Sequence, residues 1–412
     1  MPKLGNTRLR WFLLLSILCS SFALADLNTE FDALTQPSVS EPEHRLFRFN
    51  NDQIIFSNRF NSARLNGVKQ MAKRKFLLRI EPENTPINNS PWYSFNVVAS
   101  KPQKITLLFQ YRDGDHRYHP KISHDGRNWQ PATDRQYSVS KSGRASLKLR
   151  VGPDKLWISA QELNYSAQDI QLWMKRYAQK TFVEHSIIGQ SVQGRPIEML
   201  TLGNPKAKQT VVLIGRQHPP EVTGTIAQLA FVRRLSDDSE LSKRYREKVK
   251  TLIIPLMNPD GVINGHWRHN INGVDLNRDW YSIYQPEIKA ASNVFKEEAN
   301  KPGQSIRFAL DFHSTHKDIF YSVNRELTGN RYDIVDRWVG RINNQFPDYF
   351  IEDRPGNLSR GVSKNWFYRD LNVPALTYEV GDHTPRNAVI NVADFAATAM
   401  MELLLEKQVE TH

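Results

Sequence analysis

The period of apolar and polar positions changes along the chain, and the changes mark out its organisation. An apolar run, Trp11 to Leu18, stands behind Lys3, Arg8 and Arg10 and ahead of Ala23-Leu24-Ala25. A cationic start, a short apolar centre and a small-residue end are the layout of a cleavable secretory signal over residues 1–25. From Asp26 to about residue 160 the texture is one of short alternating stretches. Trp92 to Val98, Lys104 to Tyr111 and Ala145 to Val151 carry apolar side chains at every second position, the period of a half-buried strand. His124-Asp125-Gly126 between two such stretches predicts a tight hairpin turn, because glycine tolerates positive φ. A small β-sandwich over residues 26–160 follows.

After Trp157 to Ser166 the period lengthens. Ala167 to Ala178 carries Ile170, Trp173, Met174 and Tyr177 at helical spacing. Apolar runs suited to buried strands, Thr210 to Ile214, Thr251 to Leu256, Ile306 to Phe312 and Pro374 to Tyr378, then alternate with helical patterns such as Glu221 to Leu235 and Gln285 to Ala299. Such alternation predicts an α/β domain over residues 161–412, a largely parallel or mixed sheet covered by helices.

A chain of 412 residues, 40% of them apolar, has material for two cores. Its one cysteine, Cys19, lies inside the predicted signal, so cleavage near Ala25 leaves a chain without disulfides or a thiol nucleophile. A lipoprotein site at Cys19 would want a small residue where Leu18 stands. The formal charge is +12, and Lys3, Arg8 and Arg10 contribute three of those charges. The excess favours anionic partners or serves solubility. No Lys/Arg block or nucleic-acid motif accompanies it, so no nucleic-acid partner is expected. No segment beyond the signal is read as approaching the roughly twenty apolar residues of a membrane span. A periplasmic or secreted protein without stable membrane insertion is the expectation.

The candidate chemistry begins at His218-Pro219-Pro220-Glu221, which follows one predicted strand and leads into a helix. Two prolines stiffen the turn, and a His and a Glu three apart can converge on one ion. Alone, the pair is a weak signal, and caps at a helix start describe it better. A third ligand is offered by His313 at the carboxyl end of another buried strand, the edge where open α/β sheets place their ligands. Asn258-Pro259-Asp260-Gly261, Arg268 and Gly273-Val274-Asp275-Leu276-Asn277-Arg278-Asp279-Trp280 add a dense polar set after a third strand. His316 is a weaker rival ligand, His266, His269 and His383 read as rim residues, and Arg278 with Asp279 could be a surface ion pair. Asp311 could orient a ligand or bond to backbone.

Taken in order, these motifs, with Asp311-Phe312-His313-Ser314 and Thr377-Tyr378-Glu379, resemble the zinc metallocarboxypeptidases, the funnelin superfamily. The nine-residue step from Arg268 to Asn277 and a sandwich ahead of the catalytic unit are similar to the cytosolic-carboxypeptidase-like branch. The resemblance covers about residues 180 to 400. It implies an α/β/α catalytic domain with a mixed central sheet and one Zn²⁺ held by His218, Glu221 and His313. It further implies that Asp275, on the same side of an extended segment as Asn277, orients His218. By the same carry-over Arg268 stabilises the oxyanion, Asn277 and Arg278 hold the substrate's terminal carboxylate, and Glu379 is general base and acid.

One family feature is missing: the loop tyrosine that closes over substrate about twenty residues before the catalytic glutamate has no counterpart in Ile351 to Gly361. Tyr349 and Tyr368 are the nearest candidates. In the same region the resemblance brings Lys364 near the floor of the side-chain pocket, with Arg354 and Arg360 adding charge, and implies preference for an acidic terminal residue; the alternative is that Lys364 points to solvent. The substrate is expected to be a peptide or a peptidoglycan peptide. Alternatives on the same residues are a murein peptide amidase or deglutamylase acting on an isopeptide bond, and a non-catalytic module that binds carboxylate-ended peptides. The sandwich is expected to restrict or orient long substrates.

Overall fold

Residues 38–406 are described by the computed structural model of the chain. The predicted signal peptide lies outside them.

The period-two alternation of the amino-terminal stretches is also their burial pattern. In Ala145–Val151 the side chains of Ala145, Leu147, Leu149 and Val151 are buried while Lys148 and Arg150 face solvent. Such strands form two sheets. One runs in the order Leu46–Phe49, Ile54–Ser57, Ser94–Ala99, Leu156–Ser159, Lys121–Ser123, Gln130–Pro131. The other runs Gly67–Ala72, Lys75–Ile80, Gln103–Tyr111, Ala145–Val151, Tyr137–Val139. Rings close the space between them: Phe56 meets Phe76 at 5.1 Å, and Tyr93 meets Phe109 at 5.0 Å. Gly126 takes φ +74° in the predicted hairpin turn. The return strand starts at Gln130, because Asp125 Oδ1 first captures the amides of Arg127 and Asn128.

A capping box of Ser166 and Asp169 then starts the helix Ala167–Tyr177. Beyond it lies a mixed sheet of eight strands: β1 (Val183–Gln190), β2 (Pro196–Leu202), β3 (Gln209–Gly215), β4 (Val249–Ile254), β5 (Ser305–Thr315), β6 (Ile319–Tyr321), β7 (Glu352–Asp353) and β8 (Ala375–Gly381). Their spatial order is β1-β2-β4-β3-β5-β8-β6-β7. The pairs β4/β3, β3/β5 and β5/β8 are parallel, so the central strands point their carboxyl ends the same way.

The uninterrupted apolar run of β3 is needed because both faces of the sheet are covered. Val211 and Leu213 pack with the helices Val222–Leu235 and Arg386–Leu405, whereas Val212 and Ile214 pack with Pro286–Asn300 and Ser363–Leu371. Each buried side chain of this kind contributes roughly 1.5–3 kcal/mol, which makes the sheet centre a firm base for polar groups at its carboxyl edge. The helix Arg386–Leu405 corrects one expectation. By length and composition it could cross a bilayer, yet Val389, Val392, Ala393, Ala396 and Met400 are buried in the core, so its apolar character is that of a core helix.

Candidate active site

After β3 the chain turns sharply. Arg216 takes φ +55°, and its guanidinium donates to Pro219 O at 2.7 Å and Thr225 Oγ1 at 2.9 Å. These bonds fold His218-Pro219-Pro220-Glu221 back on itself just before the helix Val222–Leu235. In that helix's first turn a Cβ on Gly224 would stand 2.5 Å from His313 O. Glycine is therefore what lets the helix, and Glu221 with it, approach β5.

The result is convergence. His218 Nδ1 lies 2.8 Å from Glu221 Oε1, His313 Nδ1 lies 2.7 Å from Glu221 Oε2, and the two Nδ1 atoms are 3.2 Å apart. All three side chains are buried. Each imidazole turns its far nitrogen to a carboxylate: His218 Nε2 to Asp275 Oδ1 at 2.9 Å, and His313 Nε2 to Asp311 Oδ2 at 2.8 Å. A histidine held in this way offers a lone pair on its near nitrogen, the form a metal binds. Burial alone would raise Glu221, but His218 and His313 pull its carboxyl far down. Burial would lower His313, but Asp311 and Glu221 raise it well above the ordinary histidine range. Three carboxylates around two imidazoles form a pocket biased toward positive charge, and its nitrogen and oxygen donors fit a zinc ion.

Glu379 stands on β8 directly across from His313 in the parallel register. Burial pushes its carboxyl up, with Glu221 adding to the effect while His313 and Arg268 oppose it. Its Oε2 is buried and has no hydrogen-bond partner among the described residues. Arg268 donates from Nε to Asp275 Oδ2 at 2.7 Å, so Asp275 joins the guanidinium to His218. Asn277 accepts the amide of Ser363 at 2.9 Å, and its own amide nitrogen lies 3.3 Å from His313 Nε2. Arg278 Nη1 donates to Asn277 O at 2.7 Å. Its pKa is lowered by burial and by the like charges of Arg268 and Arg360, with Asp275 opposing them.

Several sequence readings change in detail. Asp275 and Asn277 are not on an extended segment: Asp275 caps the 3₁₀ turn Leu276–Arg278, and its Oδ1 accepts Asn277 N at 2.9 Å. His313 lies inside β5, which continues to Thr315. His266 and His269 are not rim residues but are buried against the sandwich, where His266 pairs with Glu41 and His269 Nδ1 meets Asn84 Oδ1 at 2.6 Å. Asp279 caps the next turn through Tyr284 N and Gln285 N. His316 and His383 are exposed. Tyr368 donates to Leu327 O at 2.6 Å and Tyr349 bonds to Asp318, so neither hydroxyl is free for substrate.

Lys364 is 7% exposed and donates to Asn365 Oδ1 at 2.8 Å. Burial pushes its pKa down to about 8. Asp353, the carboxylate that acts on it, is engaged by Arg325 at 2.8 Å and by Ser322 at 2.8 Å.

Other contributors were not singled out from sequence. Gln217 bridges Trp280 Nε1 and Asp311 Oδ2. From the sandwich, Glu83 binds the Arg268 segment, and Arg117 reaches Asp382 Oδ2 at 2.7 Å and Ser314 O at 3.4 Å. A cavity of about 660 Å³ lined by Phe60, Trp157, Met174 and Arg195 lies elsewhere and includes none of the metal-binding set.

Comparison with known proteins bears on the fold and the family. Among curated relatives, an uncharacterized protein of Zymomonas mobilis is 27% identical over 339 residues, 78% of this chain and 86% of that protein. Human cytosolic carboxypeptidase 6 is 26% identical over 316 residues, 69% of this chain and 61% of the relative, so the chain spans about three-fifths of that relative's length. In fold, a metallo-carboxypeptidase from Burkholderia cenocepacia matches with a TM-score of 0.73 at 18% identity, over 86% of this chain and 100% of that one. One from Pseudomonas aeruginosa matches with a TM-score of 0.70 at 20% identity, over 85% of this chain and 98% of that one. The family described as zinc carboxypeptidase matches residues 170–396, more than half of the sequence and the whole stretch that carries the converging side chains, and the chain belongs to that family.

Proposed function

We propose that this metallocarboxypeptidase is exported and removes an acidic residue from the carboxyl end of a peptide, with each of the sequence-assigned residues in a distinct role. His218, Glu221 and His313 would hold a zinc ion, which would supply Lewis acidity and bring the pKa of water there to roughly 7. Glu379 takes the proton of the attacking water. A carboxyl pushed up by burial is suited to accept a proton and then deliver it to the departing amine. Arg268, held by Asp275, meets the negative charge that develops on the scissile carbonyl oxygen. Asn277 and Arg278 hold the terminal carboxylate and so select a free chain end.

The acidic preference rests on one observation: Lys364 is a buried ammonium that forms no ion pair among the described residues. Its neighbour Ser363 bonds Asn277 and Asp311, which supports placing it beside the terminal-residue pocket. A lone buried cation is costly unless a ligand supplies the missing charge. Glutamate, or the second carboxylate of a peptidoglycan diamino acid, would do so. The leader-like pattern of residues 1–25 supports action in the periplasm or outside the cell. Cleavage of matched peptides ending in Glu, Lys and Phe tests the preference. Glu should be removed fastest, and equal rates on all three would overturn it.

A further inference from the structure

We propose that Glu83, a residue of the amino-terminal sandwich, is a positioning residue for Arg268, which makes the sandwich part of the catalytic apparatus. This rests on the reading of Arg268 as the side chain that meets the oxyanion.

The segment carrying Arg268 has neither helix nor strand, so its buried backbone donors need partners from elsewhere. Glu83 supplies all of them for three successive residues. Its Oε2 accepts Trp267 N at 2.7 Å, and its Oε1 accepts Arg268 N at 2.9 Å and His269 N at 2.7 Å. Successive amides aimed at one anion form a nest, and a carboxylate there fixes the backbone dihedrals on both sides of the central residue. Glu83 is 1% exposed. Burial would raise its pKa, but His266, His269, Arg64 and the His269 amide bring it down to about 2, so the anion persists across the working pH range.

Further contacts tighten the same joint. Asn84 donates to Gly273 O at 3.0 Å, and Arg64 donates to Gly265 O at 3.3 Å. Residues 265 to 273 are thus held from both ends by the sandwich. From Arg268 the linkage runs through Asp275 to His218, by bonds of 2.7 and 2.9 Å. Loosening the nest would let the guanidinium drift from the place where charge develops. Such a defect weakens transition-state stabilisation more than ground-state binding, so it should fall on kcat rather than KM.

A double-mutant cycle on the full zinc-loaded protein separates this role from a mere structural joint. Glu83→Gln keeps the side chain's shape but opposes an amide nitrogen to at least one of the three N–H donors. It should lower kcat about 30- to 100-fold, leave KM within about 3-fold and leave zinc content unchanged, whereas Arg268→Ala should cost about 10²- to 10³-fold. In the Arg268→Ala background, Glu83→Gln should add less than about 3-fold. An unchanged kcat in Glu83→Gln, or an equal loss in both backgrounds, would overturn the proposal while leaving Arg268 in its role. Full activity in Arg268→Ala would instead overturn the reading of Arg268, and the proposal with it. Amide hydrogen exchange on the unsubstituted protein covers the case in which Glu83→Gln does not fold. The amides of Trp267, Arg268 and His269 should exchange as slowly as the sandwich core, and fast exchange there would overturn the nest.

Discussion

Replacing Lys364 by Met should make the protein more stable at neutral pH and less selective. Burial brings the lysine from 10.5 down to about 8, and a shift of that size corresponds to about 3 kcal/mol of destabilisation while the group is charged. The substitution removes that cost and keeps the stem's packing. It also orphans Asn365 Oδ1, which accepts from Nζ at 2.8 Å, at about 1–2 kcal/mol. The net is a gain of about 1–2 kcal/mol at pH 7. The sign changes with pH: a lysine lowered in the folded state carries its full penalty below pH 8 and loses it between pH 8 and 10.5. Above that range the variant should be the less stable protein. Urea midpoints at pH 7 and pH 10.5 measure the crossing. Selectivity is the second readout. Deleting one partner of a buried charge pair costs about 2–5 kcal/mol, so kcat/KM for a Glu-ended peptide should fall at least about 30-fold, with a Phe-ended peptide unaffected. A variant destabilised at pH 7, or one with unchanged preference for Glu, would refute the reasoning.

Other substitutions test the remaining parts. Glu379→Gln should keep its zinc and lose about 10²–10⁴ in kcat, measured on a Glu-ended peptide; retained turnover would mean that another group is the base. Asp311→Asn should weaken zinc binding about 10- to 100-fold in chelator competition, because it no longer fixes the His313 imidazole at 2.8 Å. Gly224→Ala brings a methyl to 2.5 Å from His313 O, and should cost about 1–3 kcal/mol of stability and weaken the metal site with it. An alanine variant of unchanged stability and zinc affinity would show that the helix can yield.

The metal-binding set was legible from the joint order of its motifs and the family resemblance they carry, since His218-x-x-Glu221 alone is a weak signal. β3 and β5 are apolar runs buried on both faces, which the period gives, whereas the Arg216 bonds and the Gly224 contact that bring His218, Glu221 and His313 together are not in the period. Glu379 was legible as a strand residue, though its register opposite His313 belongs to β5/β8 pairing, which period alone does not give. Less legible was what one unit does to the other. His266 and His269 read as rim residues because polar side chains in a loop usually face water. They are covered by Glu41, Glu83 and Asn84, some 185 to 225 positions away. Nothing in Glu81-Pro82-Glu83-Asn84 distinguishes it from an exposed turn until the partner backbone is present. The extended reading of Asp275 to Asn277 failed for a local reason: Asp275 captures Asn277 N with its own side chain, which favours a tight turn over a strand. The helix Arg386–Leu405 is apolar around much of its circumference because it packs on Val222–Leu235 and on Asp333–Gln345, which composition does not distinguish from a membrane span.

The central claim is that His218, Glu221 and His313 hold a catalytic zinc ion. Metal analysis of the purified chain and of His313→Ala, run beside a carboxypeptidase assay on the same samples, tests it most directly. One zinc per chain with turnover in the first, and neither in the second, is the predicted result. A His313→Ala protein that keeps its metal and its activity would contradict the claim.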